Sequence, residues 1–273
     1  MAAAGLDLAV RNAVSAGVDF SQLALLDNFC WCSSDEPERL GQLKRAVEVI
    51  YKMAVKYQTP FISGKDSMFN DFKGFDASGN AVKISAPPTL LASSIGVIPD
   101  VEKSISLAPK AVGDALYLLG ETKDECGASE YYDSLGHLGN NVPETDSHQN
   151  LRLYKLYGRA ARDRLIASAY ALNHGGLGTA LAKKAIAAQM GMDIDLSAID
   201  LRADKALYSE STGRILVTVA PQNKAKFDKT FKNFEHCQMI GHIAHGNKLN
   251  IKNTLHISID KLDEAYKAPL GNY

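Results

Sequence analysis

Apolar positions recur at helical spacing almost from the first residue. Leu6, Ala9, Val10 and Val14 stand three or four apart, which places them on one stripe of a helix over 6–16. Ala24-Leu25-Leu26-Asp27-Asn28-Phe29 is an apolar run that turns polar, the pattern of a short strand entering a turn. Ser34, Asp35, Glu36 and Pro37 then supply a cap, early acids and a first-turn proline for a helix. Its predicted apolar face is Leu40, Leu43, Val47, Ile50, Tyr51, Ala54 and Val55, and it ends near Tyr57, before Pro60. Phe61-Ile62-Ser63 predicts an apolar entry into a loop, Gly64-Lys65-Asp66-Ser67-Met68. Residues 71–80 have the Gly, Asp and Ser content of a hairpin turn, and 90–97 form a β-rich run.

The pattern changes near Ala108-Pro109-Lys110, where a domain boundary is predicted. Beyond it come a strand over 115–120, a Gly-rich polar segment over 122–141 and a helix over 149–169. Gly175-Gly176 opens a second helix with Leu177, Ala180, Leu181 and Ala185 on one stripe. A strand over 215–219, an amphipathic helix over 222–234 and a strand over 239–243 follow. Strands alternating with helices predict an α/β (α+β) class. No internal repeat interrupts it. A first helix with no strand or turn before it leads us to expect a fragment of a longer protein.

Composition narrows the function classes. Of 273 residues, 46% are apolar and 22% charged, ordinary values for a globular chain. A formal net charge of −1 argues against a nucleic-acid or anionic-membrane partner, although a local basic patch fits inside a neutral total. No apolar run approaches the ~20 residues that span a bilayer, and 1–5 lacks the basic start of a signal peptide. Cys30, Cys32, Cys126 and Cys237 are too few and scattered for a disulfide framework, so a cytoplasmic chain is expected.

The candidate chemistry is modest motif by motif. Gly64-Lys65-Asp66-Ser67 resembles the end of a phosphate loop, but Thr59 stands where Walker A needs glycine and Ser67 does not directly follow Lys65. What remains is either a solvated turn or a glycine beside a cation, an acid and a hydroxyl that contact phosphate and metal. Asp27-Asn28 at a strand end is either a ligand-binding pair or an Asx turn. Gly175-Gly176 reads as a backbone approach to an anion or as a tight turn into a helix, and the two are compatible. Cys30-Trp31-Cys32 reads as two buried thiols rather than half a zinc site. The seven histidines show no metal-binding spacing, and His242 and His245 are expected to face solvent.

In order, however, the fragments form a familiar series. Leu26-Asp27-Asn28-Phe29-Cys30-Trp31, Leu40-Gly41-Gln42-Leu43, Thr59-Pro60-Phe61-Ile62-Ser63-Gly64-Lys65-Asp66-Ser67 and Pro87-Pro88-Thr89-Leu90-Leu91 lie in the first part. Tyr117-Leu118-Leu119-Gly120-Glu121-Thr122-Lys123-Asp124-Glu125, Leu138-Gly139-Asn140-Asn141-Val142-Pro143 and Glu210-Ser211-Thr212-Gly213-Arg214 lie in the second. Together they resemble the C-terminal half of phosphoribosylformylglycinamidine (FGAM) synthase, in the aminoimidazole ribonucleotide synthetase superfamily. That family joins ATP, formylglycinamide ribonucleotide and glutamine-derived ammonia to give FGAM, ADP and phosphate in purine biosynthesis.

The resemblance implies a partial A domain over 1–109, with a barrel-forming sheet, and a B domain over 110–273. It implies ATP contacts from Asp27 and Gly64, a phosphate contact from Lys65 and a substrate contact from Ser67. Lys65 stands where shorter members carry a metal-binding Asn, so no residue of this chain is expected to hold metal there, while ATP and Mg²⁺ serve the full enzyme. An auxiliary nucleotide site is implied around Asn12, Asn173, Gly175 and Gly176, and it departs from the family pattern. Leu8 replaces a Glu, Ala171 an Asp and Asn173 a Ser, so that site is expected to be degenerate, since Mg²⁺ takes hard oxygen donors. Implied partners are an N-terminal module or subunit, a glutaminase domain or subunit, or a second copy through the A domain. The chain alone is expected to be an inactive piece of an ATP-dependent carbon–nitrogen ligase. The alternatives are a non-catalytic nucleotide-binding or scaffold module, or a selenophosphate synthetase, thiamine-phosphate kinase or hydrogenase-maturation factor.

Overall fold

The computed structural model describes residues 1–271. The first part runs α1 (Ala2–Ser15), β1 (Leu23–Cys30), α2 (Pro37–Tyr57), β2 (Phe61–Ser67), β3 (Asp71–Phe75), β4 (Ala81–Ser85) and β5 (Thr89–Gly96). Among the described residues β1 is the centre of a three-stranded sheet, parallel to β2 and antiparallel to β5, while β3 and β4 form a separate hairpin.

The second part runs β6 (Ala115–Leu119), α3 (Glu130–Ser134), α4 (Ser147–Arg162), β7 (Ser168–Ala171), α5 (Gly176–Ala188), β8 (Gly191–Ile194) and α6 (Ala203–Tyr208). It closes with β9 (Ile215–Val219), α7 (Lys224–Phe231), β10 (Cys237–Ala244), β11 (Lys248–Ile251), β12 (Leu255–Ser258) and α8 (Ile259–Lys267). Its seven strands form one mixed sheet in the order β12-β11-β8-β10-β6-β9-β7.

Strand β6 shows how the layers divide the core. All five of its residues are buried, and strand alternation sends successive side chains to opposite faces. Ala115, Tyr117 and Leu119 join a cluster with α1, α2 and α4, whereas Leu116 and Leu118 join another under α5. Leu25, Phe29 and Trp31 belong to the first cluster too, so one apolar layer runs from the small sheet to the large one. The predicted stripes of α1 and α5 are buried as expected.

Three expectations need correction. The segment 64–68 is not a loop, since β2 continues through Gly64, Lys65 and Asp66 to Ser67. It is an edge strand held by backbone pairing to β1, and its polar side chains hide that pairing from a hydrophobicity pattern. The helix over 149–169 stops at Arg162; Arg164 takes a left-handed φ of 54°, and 168–171 is strand β7. The face assigned to α2 is misphased, because Ala46, Ile50, Met53 and Tyr57 are buried while Leu40, Val47, Tyr51 and Val55 are exposed. No described helix is long and apolar enough to cross a membrane.

Candidate functional site

The parallel register of β1 and β2 sets Asp27 beside Gly64, Asn28 beside Lys65 and Cys30 beside Ser67. Paired residues share a face, so the predicted contacts divide into two sets. Asp27, Gly64 and Asp66 lie on the side where Leu25 and Phe29 enter the core. Asn28, Lys65 and Ser67 lie on the other, where the Lys65 ammonium donates to the Ser67 hydroxyl. Strand β2 is an edge, so its far side is unpaired among the described residues.

Gly64 is required by its neighbour. A methyl group at position 64 would overlap Asp27 Oδ1, so only a residue without Cβ lets the carboxylate lie across the strand. Burial, and then the nearby Asp66 charge, raise the Asp27 carboxyl above its ordinary range. Asn28 Oδ1 is buried with no hydrogen-bond partner. Adjacent acids raise each other's cost of ionisation, and a divalent cation would relieve it. Among the described residues no group of three or more His, Cys, Asp or Glu could enclose a metal by itself. Mg²⁺ commonly takes one or two carboxylates and completes its shell with phosphates and water, which this pair fits. Asn28 and Asp66 belong to the two motifs singled out in the sequence, the strand-end carboxylate and amide and the glycine beside a cation, an acid and a hydroxyl.

Of the second predicted group, Asn12 lies on α1, while Asn173, Gly175 and Gly176 lie where β7 gives way to α5. Asn12 is exposed on α1, and Asn173 accepts from the Tyr170 hydroxyl at 3.2 Å. Gly175 caps α5 with a φ of 77°, and its N–H donates to Glu210 Oε1 at 2.8 Å. The same Oε1 accepts the Glu130 N–H at 3.0 Å, so a carboxylate of the chain itself occupies the start of α5. Gly176 lies so close to the Ser209 carbonyl that a methyl group there would overlap it. The tight-turn reading of Gly175-Gly176 therefore describes the local geometry.

Between α1, α2 and α4 lies a buried polar cluster that the sequence left unremarked. Asp7 pairs with Arg11 at 2.5 Å and accepts from Tyr154 at 2.7 Å, Tyr57 at 2.8 Å and Asn150 at 2.9 Å. Arg11 also donates to the Leu172 carbonyl at 2.9 Å, two residues before His174. Burial opposes the Arg11 charge, but Asp7 and the tyrosines outweigh it and hold the guanidinium above its ordinary value. Burial, then the Asp7 charge, raise both tyrosines well beyond theirs. An acid and a base four apart on a helix was the available signal. Cys32 is buried and Cys30 only half-buried, its sulfur accepting from Asn70 at 3.1 Å; His242 and His245 are exposed.

Residues 111–252 match the family described as AIR synthase related protein, C-terminal domain. The phosphoribosylformylglycinamidine synthase subunit PurL of Methanocaldococcus jannaschii is 29% identical over 267 residues, covering 94% of this chain and 35% of that relative. The corresponding PurL of Alkaliphilus metalliredigens is 30% identical, with 96% and 35% covered, so the chain spans about a third of the length of these relatives. Among solved structures, T. maritima PurL complexed with FGAR superposes with a TM-score of 0.71 at 14% identity, covering 96% of this chain and 42% of that one. By its match through most of the second part, the chain belongs to the AIR synthase related family.

Proposed function

We propose that this chain is the C-terminal part of an FGAM synthase, working in the cytoplasm on ATP, formylglycinamide ribonucleotide and glutamine-derived ammonia. Residues 1–109 are assigned to a partial A domain and 110–273 to the B domain. The observation that carries the proposal is the β1–β2 register, in which Gly64 makes room for Asp27 while Lys65 and Ser67 share the opposite face. The likeness along 94% of the chain to a PurL subunit supports it, as do solved T. maritima PurL complexes with ATP and with FGAR.

In this proposal the nucleotide phosphates lie along the free edge of β2. Asp27 and Asp66 are the residues that would hold Mg²⁺, and the Lys65 ammonium would reach the phosphates on its flexible stem. Ser67 and the unpaired Asn28 Oδ1 face the formylglycinamide substrate. When bound, Mg²⁺ would supply charge neutralisation for transfer of the phosphoryl group from ATP to the amide oxygen, with ADP leaving. Ammonia then displaces phosphate.

The open sheet is completed by an N-terminal module or subunit, and a glutaminase supplies ammonia. An ammonia-dependent assay tests this directly. The chain alone is expected to give no FGAM, and addition of the N-terminal part of a PurL subunit is expected to restore it. Turnover by the chain alone would refute the incomplete site. We also propose that the auxiliary site around Asn12, Asn173, Gly175 and Gly176 is degenerate.

A second reading is a non-catalytic scaffold pairing through the small sheet. Leu91 and Ile95, spaced four apart on β5, are each 57% exposed and would be covered by such pairing. Nucleotide binding without FGAM formation in any reconstituted mixture would favour it.

A further inference from the structure

A concavity lies away from both sites just described. It has a volume of about 490 Å³ and sits between the outer face of α4, the end of α2 and α7. Its charged lining is Lys56, Arg152, Lys155, Arg159 and Lys229, joined by His148. Among the described residues no Asp or Glu lines it, and none of the five Lys and Arg side chains forms an ion pair. For a chain with a net charge of −1, this is a marked local separation of sign.

The arrangement exceeds what a solvated helix face requires. His148, Arg152, Lys155 and Arg159 recur at three- and four-residue steps, so like charges stand next to one another along α4 without intervening acids. The helix dipole accounts for Arg159, Lys56 and Lys229, each in the last turn of its own helix, but not for Arg152 and Lys155 further back on α4. Lys56 Nζ lies 2.7 Å from His148 Nδ1, a contact in which the ammonium donates to the ring nitrogen and which ties the end of α2 to the start of α4. Leu151 and Leu156 give an apolar floor, and Thr230 and Asn233 add hydrogen-bonding groups on the α7 side.

Two smaller depressions continue the groove along α4. One shares Lys155 and Arg159 and adds Arg162 with Asp19; the other shares His148 and Arg152 and adds His236 with Glu235. Acids therefore occur only beyond the central cavity. Its size falls within the ~300–1,000 Å³ range of small-molecule sites, and its converging Lys and Arg side chains suit phosphate oxygens.

We infer that the α2–α4–α7 groove is a binding site for a small phosphorylated anion carrying at least two negative charges, separate from the β1–β2 site. The polyphosphate chemistry is shared by inorganic and nucleoside sources, and the apolar floor leaves room for a base.

Calorimetric titration of the whole chain with inorganic pyrophosphate, and separately with ADP, tests the inference. Lys155→Glu combined with Arg159→Glu removes two cations from α4, and Lys229→Glu removes one from α7. All three side chains are exposed, and circular dichroism checks that the variants stay folded. Pyrophosphate binding is expected to weaken roughly tenfold or more in both variants, because charge-assisted hydrogen bonds are lost. Tighter binding of ADP than pyrophosphate in the same groove would mark a nucleoside ligand, and equal binding an inorganic or simpler phosphate. Unchanged pyrophosphate affinity in the two variants, or no binding by the parent chain, would overturn the inference. Binding of RNA by the groove without binding of pyrophosphate would overturn it as well, by assigning the surface to a polymer.

Discussion

Asp27 and Asp7 are two carboxylates held against the same apolar layer and treated in opposite ways. Asp7 lies on α1 with no exposed surface, and Arg11, Tyr57, Asn150 and Tyr154 donate to it. Asp27 lies half-buried on β1, no described side chain donates to it, and the charged neighbour that acts on it is another acid, Asp66. The first satisfies itself within the chain. The second is left with unused acceptor capacity beside a glycine whose missing Cβ gives its carboxylate room. Buried polar groups that are fully paired hold a fold, whereas those left unpaired at an edge are available to a ligand.

The comparison can be broken most forcefully at Asp7. Asp7→Ala leaves a buried guanidinium and three polar side chains without their acceptor, so urea unfolding should report a loss of about 3–5 kcal/mol. Arg11→Met added to that change should recover part of the loss, because the unpaired charge is removed as well. A loss below about 1 kcal/mol would mean that the cluster contributes nothing beyond a surface pair.

Lys184 supplies the buried charge without a partner. It is fully buried, donates to the Leu107 carbonyl at 3.0 Å and Ser168 Oγ at 2.7 Å, and has Lys110 as the charged neighbour that acts on it. Burial first, and Lys110 second, lower its value from 10.5 to about 7. The unfolded chain then binds more protons than the folded one between those two values, so stability rises with pH across that window. The cost of holding the charged form is fully present below about pH 7. Denaturation midpoints from pH 7 to 10 should climb, with the Lys184 contribution approaching about 1.4 kcal/mol per pH unit. Lys184→Met should flatten that slope and stabilise the chain most at the neutral end.

Gly64→Ala should act on ligand rather than fold. Asp27 must rotate away from the added methyl group, and ATP binding is expected to weaken about tenfold, equivalent to ~1.4 kcal/mol. Equal losses of stability and binding would instead make Gly64 a folding residue. The smallest expected effect is at the other predicted site. Asn12→Ala and Asn173→Ala should each leave Mg²⁺–ADP titrations unchanged, and tight binding that depends on either residue would restore the auxiliary site.

The residues explain which features the sequence revealed. Helices α1 and α5 were legible because each buries one uninterrupted stripe. Helix α2 was not phased correctly because it is apolar on two sides, and only packing decides which side enters the core. Strand β2 was hidden because its pairing belongs to the backbone while its side chains are polar. The short strands β8, β11 and β12 were missed because four residues give periodicity too few repeats to register. At the site, motif order brought Asp27, Gly64, Lys65 and Ser67 together, but the division between two faces needed the register. The Asp7 cluster draws on residues up to 147 positions apart, which no local pattern encodes.

The small sheet has two edges of unlike kind, β2 parallel to its neighbour and β5 antiparallel to it. That asymmetry governs how copies or modules can be assembled. A β5-to-β5 contact is self-complementary and closes after two members, whereas a β2-to-β5 contact leaves one edge open at each end. The first gives a finite particle, and the second grows unless the rotation brings its ends together into a ring. Closure through β5 would also keep the edge beside Gly64, Lys65 and Asp66 accessible, so the choice of symmetry and the availability of the site are decided by the same three strands.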